Sequence, residues 1–313
     1  MKYAVIGSGA IGAYYGAKLV KAGQYVEFLF HSDYEFVKQN GLRVKSCDGD
    51  FYLPEVKAFD STEKMGKADV VLVGLKSTNE NLLYKVLSPL LHEKTLVVLI
   101  QNGIGLEADL QEKFPGTYIA AGLAFICSAK TEPGTVNHQC YGSINIGNFS
   151  CPDSSIINKV VEDFRNAEIE ANEVEYHEAR WKKAVWNMPF NGMTVALNTQ
   201  TDKLLANPAT EALIYMQMKE VIDAAQACGV QNLDYTFADK MIAMTKAMVP
   251  YSPSMKLDFD FKRKMEIYYI YTRPIEEARK HGYEMHKLQM LEAELKFIES
   301  NYELRNPNYE LPH

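Results

Sequence analysis

Short β-branched runs alternate with helical patterns in the first third of the chain. Runs typical of buried strands occur at 2–7, 25–30, 68–76 and 95–103. A helical pattern fills 10–22, and another follows the third run to about Leu91. Strands that alternate with helices predict a parallel, doubly wound sheet with helices on both faces.

The same domain is expected to continue to residue 174. A hairpin-like stretch at 42–54 precedes the later runs, and two strands with turn signals follow them, KTEPGTV and YGSINIGN. A helix at about 154–166 and a last strand at 169–174 then complete the sheet. We therefore predict one α/β domain over residues 1–174.

From about His177 onward the pattern changes to long helical periodicity. Helices are predicted at 178–198, 208–228, 234–247, 255–280 and 284–300. Residues 175–313 are therefore predicted to form an all-helical second domain that holds the substrate and catalytic groups. Its many methionines are interpreted as core filler. The tail NYELRNPNYELPH is polar, and we expect it to be frayed.

Composition narrows the classes of function. The chain is 47% hydrophobic and 23% charged, with a net charge of −7, which is typical of a globular protein and argues against a nucleic-acid binder. Neither a signal peptide nor an apolar run long enough for a bilayer is found, so we predict a soluble cytoplasmic protein without a membrane partner. The cysteines lack disulfide or metal-ligand spacing and are interpreted as small hydrophobes, with no metal expected. They are Cys47, Cys127, Cys140, Cys151 and Cys228.

A glycine motif follows the first predicted strand. The sequence GSGAIG places Gly7, Gly9 and Gly12 in GxGxxG spacing between a strand and a helix. In this context the first glycine permits a tight turn, the second lets the backbone approach a pyrophosphate, and the third permits close helix–strand packing. The motif predicts a Rossmann-like domain whose cofactor contacts come from all six residues of the turn. They are Gly7, Ser8, Gly9, Ala10, Ile11 and Gly12.

The end of the second strand bears on which nicotinamide cofactor binds. An NAD site places an acid there to hold the ribose hydroxyls, whereas an NADP site omits that acid and supplies cations. The strand ends in FLFHSD, so His31 and Ser32 occupy this position and both can donate to a 2′-phosphate. The pattern favours NADP (NADPH). Asp33 leaves NAD open, because its carboxylate could reach the ribose.

Two more strand ends carry polar side chains. GLKST places Lys76 after the third strand, and IQNGIG places Asn102 after the fourth. Ligands of such sheets lie outside the carboxyl ends of the strands, so both side chains are predicted to line the nicotinamide side of the cofactor.

The first long helix of the second domain has one polar stripe. In WKKAVWNMPFNGMTVALN, Lys183, Asn187 and Asn191 recur every fourth residue and so share one helical face. An unpaired buried amine or amide costs several kcal/mol, so the stripe faces either solvent or a polar cleft. The apolar neighbours favour a cleft. Pro189 is expected to kink the helix there.

A matching set lies further along the chain. Ser254 follows two prolines at a helix start, where its hydroxyl and backbone could hold a carboxylate. Glu266 lies twelve residues on, near the same face of the predicted helix. A surface ion pair with Lys262 or Arg263 is the alternative interpretation of Glu266.

Together these segments resemble the ketopantoate reductase family, over residues 1 to about 300. The resemblance rests on GSGAIG, GLKS, QNGIG, the WKKAVWN helix, SMKLDF followed by Glu266, and ARKHG. It implies that NADPH delivers a hydride to 2-dehydropantoate, which gives (R)-pantoate for pantothenate and coenzyme A biosynthesis. It implies that Lys183 is the general acid. A small 2-keto acid and, in a homodimer, a second copy are the expected partners.

The resemblance also implies roles for the other residues. Asn187 and Asn191 bind the substrate's hydroxyl and carbonyl side, and Asn102 lies between substrate and cofactor. Ser254 binds the carboxylate, and Glu266 orients Lys183 and cofactor-side groups. Ser128, after the GLAFICS strand, touches the cofactor through its backbone.

Two departures from the family pattern leave alternatives open. His31 stands where the family usually has an arginine, and IYYIYT follows Glu266 where an acidic residue and an Asn-Gly pair are usual. The tyrosines of this run are expected to narrow or reshape the pocket. A reductase of a different 2-keto acid or of a β-hydroxyacid is therefore a second hypothesis. A non-catalytic NADP sensor is a third.

Overall fold

The strand and helix patterns of the first half fold into one mixed sheet with helices packed on it. The computed structural model describes residues 1–305. The chain forms two compact units: unit 1 comprises Met1–Gln101 and Leu106–Tyr176, and unit 2 comprises Asn102–Gly105 and the chain from His177 onward. The part of the tail after Arg305 lies outside the described residues.

Unit 1 contains the sheet. Its strands are β1 (Lys2–Ile6), β2 (Tyr25–Leu29), β3 (Leu42–Ser46), β4 (Phe51–Leu53), β5 (Lys57–Phe59), β6 (Val70–Val73), β7 (Leu96–Leu99), β8 (Tyr118–Glu132), β9 (Thr135–Asn148) and β10 (Ala171–Val174). The strand order is β4-β3-β9-β8-β7-β6-β1-β2-β5, and β10 also pairs with β9. The predicted Rossmann-like, doubly wound fold class is confirmed, with antiparallel strands added on one side.

The parallel part of the sheet positions the loops that follow β1, β2 and β6. β1 pairs in parallel with β2 on one side and with β6 on the other. Residues 3–6 of β1 are fully buried, as expected for a strand covered on both faces. Because these strands run in the same direction, the loops after them lie together at one edge of the sheet.

A long antiparallel hairpin was not predicted as such. KTEPGTV was expected to be a strand, but it forms the end of β8, a turn at residues 133–134, and the start of β9. Gly134 has φ +63° in this turn, a conformation that glycine adopts readily. The pairing of β8 with β9 contains register irregularities, including one between Cys127 and Ser128.

The helices of unit 1 are short. They are α1 (Ala10–Lys21), α2 (Tyr34–Asn40), α3 (Glu80–Leu87), α4 (Leu106–Lys113) and α5 (Ser154–Asn166). The predicted helices at 10–22 and 154–166 correspond to α1 and α5. The sequence pattern did not reveal α2 and α4, whose seven and eight residues are too few for a clear apolar period.

Unit 2 is helical, as predicted. Its helices are α6 (Tyr176–Ala196), α7 (Thr201–Ala206), α8 (Pro208–Ala227), α9 (Tyr235–Ala247), α10 (Ser254–Asp260), α11 (Arg273–Lys280) and α12 (His286–Arg305). Methionines fill much of its core, as the filler interpretation predicts, whereas Met216 and Met290 are exposed. Those buried there are Met188, Met193, Met218, Met255, Met265 and Met285.

The single helix predicted over 255–280 is wrong. The chain leaves the helix after Asp260, and Lys262 takes φ +56°, which an α-helix cannot accommodate. Arg263 then holds the reversal, because its backbone N–H and its Nε both donate to Asp258, each at 2.8 Å. Helical structure resumes with a π-helical turn at Tyr268–Thr272, which leads into α11.

The cysteines are free, and the structure places them differently. Cys127 and Cys151 are buried as predicted, whereas Cys47 is exposed. The thiol of Cys47, the Asp48 carboxylate and the His138 ring offer ligand atoms within 4.8 Å of one another. The sequence spacing gives no sign of this trio, because it depends on the pairing of β3 with β9. Among residues 1–305, no helix is both long and apolar enough to cross a bilayer.

Candidate active site

The glycine turn connects β1 to α1. Gly7 has φ +81°, and a Cβ on it would lie 2.4 Å from the backbone nitrogen of Leu75. A Cβ on Gly12 would lie 2.4 Å from the carbonyl oxygen of Gly7. By contrast, a Cβ on Gly9 would meet nothing within 4 Å, so this glycine faces open space. Gly7 and Gly12 are thus required by close packing, and Gly9 borders free volume.

The open space next to Gly9 lies at the N-terminus of α1. Gly9 caps α1 without any side-chain hydrogen bond, so the first N–H groups of that helix remain directed toward the turn. The Ser8 hydroxyl is buried and has no hydrogen-bond partner within residues 1–305. Unsatisfied donors at a helix N-terminus are the groups that bind phosphate in nucleotide sites. The turn therefore has the features of a cofactor cradle, and Ala10 and Ile11 begin the helix behind it.

Lys76 lies at the same sheet edge as the glycine turn. It follows β6, and the preceding Gly74 and Leu75 are in contact with Gly7. Lys76 begins a short 3-10 turn and is half-buried. The predicted position at a carboxyl strand end is therefore observed. Asn102 belongs instead to unit 2, in the segment Asn102–Gly105.

The residues after β2 differ in exposure. His31 and Ser32 are exposed, whereas Asp33 is 5% exposed. Both carboxylate oxygens of Asp33 already accept contacts. Oδ1 lies 2.6 Å from Nζ of Lys130 and 3.2 Å from the Ser32 hydroxyl, and Oδ2 accepts the Gly134 N–H at 3.1 Å. Asp33 is thus used within unit 1, which weakens the alternative that it holds a ribose.

Ser128 lies within β8, whereas the sequence placed it after a strand. Its hydroxyl donates to the backbone carbonyl of Ala10 at 3.5 Å. The side chain of Ser128 is therefore adjacent to the start of α1. The predicted backbone contact with a cofactor remains a prediction.

The polar stripe of α6 lines a pocket in unit 2. Lys183 and Asn187 are among the residues around this pocket, and Arg180 precedes them on the same face. Asn191 is 2% exposed, and its side-chain oxygen accepts no hydrogen bond within the described residues. The opposite face, with Trp181 and Val185, is fully buried in the core of unit 2.

The surroundings of Lys183 change its acidity strongly. Burial disfavours the ammonium, and the nearby Arg180 guanidinium repels it, while the Glu266 carboxylate acts in the opposite direction. The net effect lowers the pKa of Lys183 from 10.5 to about 7. An amine with a pKa near neutrality can both give and regain a proton at physiological pH, which suits a general acid.

The segment Asn102–Gly105 forms another wall of the same pocket, through Gly103 and Ile104. The Ile104 N–H donates to the carbonyl of Tyr269 at 2.9 Å. Gly103 has φ +116°, and a Cβ there would lie 2.5 Å from the Cβ of Tyr269. Glycine is therefore required for this segment to pack on the π-helical turn, and the packing holds Asn102 next to the pocket.

The π-helical turn also packs on α6. The Tyr271 hydroxyl donates to the carbonyl of Met188 at 2.6 Å, and a Cβ on Gly192 would lie 2.6 Å from the same hydroxyl. α6 continues as a helix on both sides of Pro189. Of the tyrosines expected to reshape the pocket, Tyr269 lines it, whereas Tyr271 belongs to the core.

Glu266 does not lie on a helical face shared with Ser254. The expectation was wrong because the chain between α10 and the π-helical turn is not helical. Glu266 is 6% exposed, so it is buried and not a surface residue, and its charge acts on Lys183. Ser254 is the half-buried first residue of α10, after Pro253 at the N-cap.

Arg180 was missed by sequence reasoning. Arg180 lies three residues before Lys183, so helical spacing alone would have placed it on the same face.

Comparison with known proteins decides the family. The family model described as ketopantoate reductase PanE/ApbA matches residues 3–150, and the model of its C-terminal part matches residues 175–299. A 2-dehydropantoate 2-reductase of Nostoc sp. is 41% identical over 304 residues, which is 95% of each chain. The chain belongs to the ketopantoate reductase family. The predicted resemblance is therefore confirmed.

Solved structures agree with this assignment. The chain is similar to the 2-dehydropantoate 2-reductase of Geobacter metallireducens, with a TM-score of 0.92, 37% identity, and coverage of 95% of this chain and 99% of that chain. The enzyme of Methylococcus capsulatus gives a TM-score of 0.88 and 32% identity, with 99% of both chains covered. The protein is thus an oxidoreductase that acts on CH–OH groups, and its family uses a nicotinamide cofactor.

Proposed function

We propose that this member of the ketopantoate reductase family converts 2-dehydropantoate to (R)-pantoate with NADPH, in pantothenate and coenzyme A biosynthesis. The observation that carries the proposal is the amine of Lys183. Its pKa is lowered to about 7 in a pocket that Asn187 also lines. Reduction of a ketone needs a proton for the new alkoxide, and this amine is suited to supply it near neutral pH.

Lys183 acts at the oxygen of the substrate ketone. Bound NADPH supplies the hydride, which is chemistry of the cofactor. As negative charge develops on the ketone oxygen, the ammonium of Lys183 stabilises it and then donates a proton to it. Lys183 is left as a neutral amine and regains a proton from water. Glu266 opposes the lowering of the Lys183 pKa, and so keeps the amine protonated for a larger fraction of the time.

The polar neighbours bind the rest of the substrate. Asn187, in the pocket, and Asn191, whose buried oxygen lacks a partner within residues 1–305, hydrogen-bond the hydroxyl and carbonyl side. A buried acceptor without a partner costs free energy, which a substrate hydroxyl would relieve. Ser254 takes the carboxylate.

The cofactor contacts come from the loops at the sheet edge. The N–H groups around Gly9 bind the pyrophosphate, and Lys76, Asn102 and Ser128 line the nicotinamide half. His31 and Ser32 face the 2′-phosphate. The engagement of both Asp33 oxygens supports NADPH over NADH, because a ribose diol needs free carboxylate acceptors.

A turnover assay tests the proposal. NADPH and NADH oxidation would be followed with 2-dehydropantoate, pyruvate and bulkier 2-keto acids, for wild type, Lys183→Ala and Lys182→Ala. We expect NADPH with 2-dehydropantoate to be preferred, and Lys183→Ala to lower kcat by about 100-fold or more. Lys182→Ala is the matched control, because Lys182 pairs with Glu178 on α6 and is absent from the pocket lining. Unchanged turnover in Lys183→Ala would remove this residue from the mechanism.

A bulkier 2-keto acid or a β-hydroxyacid is a second candidate substrate. Tyr269 adds an aromatic residue to the lining of the Lys183 pocket. The fold is shared with a D-mandelate dehydrogenase solved with NADH and anilino(oxo)acetate, at 20% identity and a TM-score of 0.86. A higher kcat/KM with an aromatic 2-keto acid than with 2-dehydropantoate would favour this candidate. NADPH binding without oxidation by any keto acid would favour the sensor hypothesis.

A further inference from the structure

One strand of unit 1 borders both the glycine turn and the end of β2. Ser128 and Lys130 are two residues apart on β8, so their side chains project from the same face. The Ser128 hydroxyl lies 3.5 Å from the carbonyl of Ala10, at the start of α1. Nζ of Lys130 lies 3.5 Å from the Ser32 hydroxyl, just beyond β2. This face of β8 therefore connects the pyrophosphate cradle to the position that distinguishes the two nicotinamide cofactors.

The spacing along β8 suits an adenosine carrying two phosphate groups. Two residues along a strand advance about 7 Å. A pyrophosphate bound at the N-terminus of α1 would thus lie about one such step from the ammonium of Lys130. The ribose of a bound adenosine would lie between these two positions, and Ser32 and Lys130 are the residues that would hold its 2′ substituent.

The charge balance next to Ser32 depends on Lys130. A buried carboxylate such as Asp33 would repel a 2′-phosphate that binds beside it. Lys130 lies 2.6 Å from this carboxylate and neutralises it. The ammonium carries three N–H donors, two of which are directed to Asp33 and Ser32. The Lys130 side chain is 34% exposed and lies next to the exposed Ser32, so a third donor is left for a ligand.

We propose that Lys130 is the specificity-determining cation for the 2′-phosphate of NADPH, because His31 stands where the family usually has an arginine. The inference rests on the proposed use of NADPH. Lys130 holds the phosphate directly through its third donor, and it cancels the Asp33 charge that would otherwise favour a ribose diol. The Ser32 hydroxyl, which donates to Asp33 Oδ1 at 3.2 Å, would turn to donate to the same phosphate instead.

Binding measurements without keto acid test this inference. Dissociation constants of 2′,5′-ADP, 5′-ADP, NADPH and NADH would be measured by titration calorimetry on the full chain. For Lys130→Met we expect 2′,5′-ADP and NADPH to bind about 10- to 100-fold more weakly, the effect of losing a charge-assisted hydrogen bond. 5′-ADP and NADH should change by less than about 3-fold. Lys130→Arg should retain the preference for the 2′-phosphate.

A matched control separates a local effect from a loss of surface charge. Lys45 is an exposed lysine on β3 that pairs with Glu132 at 3.9 Å, so Lys45→Met removes the same charge from a nearby strand. It should leave all four dissociation constants unchanged. Equal weakening of 2′,5′-ADP and 5′-ADP in Lys130→Met would show a structural role only and would overturn the inference. Unchanged binding of 2′,5′-ADP by Lys130→Met would also overturn the inference.

The outcome is distinguishable from failure of the proposed function. If wild type prefers NADPH and reduces 2-dehydropantoate, while Lys130→Met binds 2′,5′-ADP normally, only the role of Lys130 is rejected. If wild type binds 2′,5′-ADP and 5′-ADP equally, the NADPH preference itself is rejected, and the inference with it.

Discussion

Replacing Lys183 with methionine should stabilise the folded protein near neutral pH. In the unfolded chain this lysine has its ordinary pKa of 10.5, but in the folded protein burial and Arg180 lower the pKa to about 7. Between these values the unfolded chain binds a proton that the folded chain does not. The free energy of unfolding of the wild type therefore rises with pH across this interval, so the lysine is most destabilising at the acidic end.

The magnitude follows from the two pKa values. The interval from 10.5 to about 7 corresponds to roughly 5 kcal/mol, at about 1.4 kcal/mol for each pH unit. At pH 7 the expected cost is about 4 kcal/mol, because the folded-state amine is then half protonated. Methionine has a similar length and no charge. The substitution also removes the positive charge that Glu266 attracts, which makes the gain in stability smaller. This loss does not change with pH as long as Glu266 remains ionised.

Urea unfolding followed by circular dichroism at pH 7, 8, 9 and 10 would measure this effect. The stability advantage of Lys183→Met over wild type should shrink by about 1.4 kcal/mol for each pH unit. Lys182→Met is the control, because it removes the same charge from the next position, where Lys182 pairs with Glu178. Its effect should be small and not follow this slope. An advantage of Lys183→Met that does not change with pH would refute the reasoning.

Three further substitutions have expected outcomes. Gly12→Ala should lower the melting temperature by several degrees and weaken NADPH binding, because its Cβ would lie 2.4 Å from the Gly7 carbonyl oxygen. Thermal melts with and without cofactor measure both effects. An unchanged melting temperature would contradict the packing argument. Glu266→Gln should move the pH profile of kcat to lower pH, because the Glu266 carboxylate raises the pKa of Lys183. An unchanged profile would show that Glu266 does not influence the protonation of Lys183. Asn191→Leu should raise the melting temperature, because it removes a buried acceptor that has no partner in residues 1–305. It should also raise KM for the keto acid about 10-fold, because a substrate hydrogen bond is lost. Thermal melts and steady-state kinetics measure these two effects, and an unchanged KM would contradict the substrate contact.

The long elements and the glycine motif could be predicted from the sequence. The strand before Gly7 and the helix after it are regular, and their apolar patterns match buried elements closely. The stripe of Lys183, Asn187 and Asn191 could be recognised because a helix of the length of α6 makes i, i+4 spacing reliable. These are local properties, which a pattern along the chain can carry.

The rest depends on contacts between distant residues. The break after Asp260 could not be predicted, because the apolar spacing continues through it and only the φ of Lys262 and the Arg263 contacts with Asp258 end the helix. The pairing of Asp33 with Lys130 joins positions 97 residues apart along the chain, so the sequence alone left open whether Asp33 holds a ribose.

The pH dependence of kcat/KM for NADPH-dependent reduction of 2-dehydropantoate tests the central claim most directly. If Lys183 is the general acid, kcat/KM of the wild type should fall about tenfold for each pH unit above a midpoint near 7, as the amine loses its proton. The residual activity of Lys183→Ala should lack this decline. A wild-type profile that stays level to pH 9, or a decline that persists in Lys183→Ala, would contradict the account.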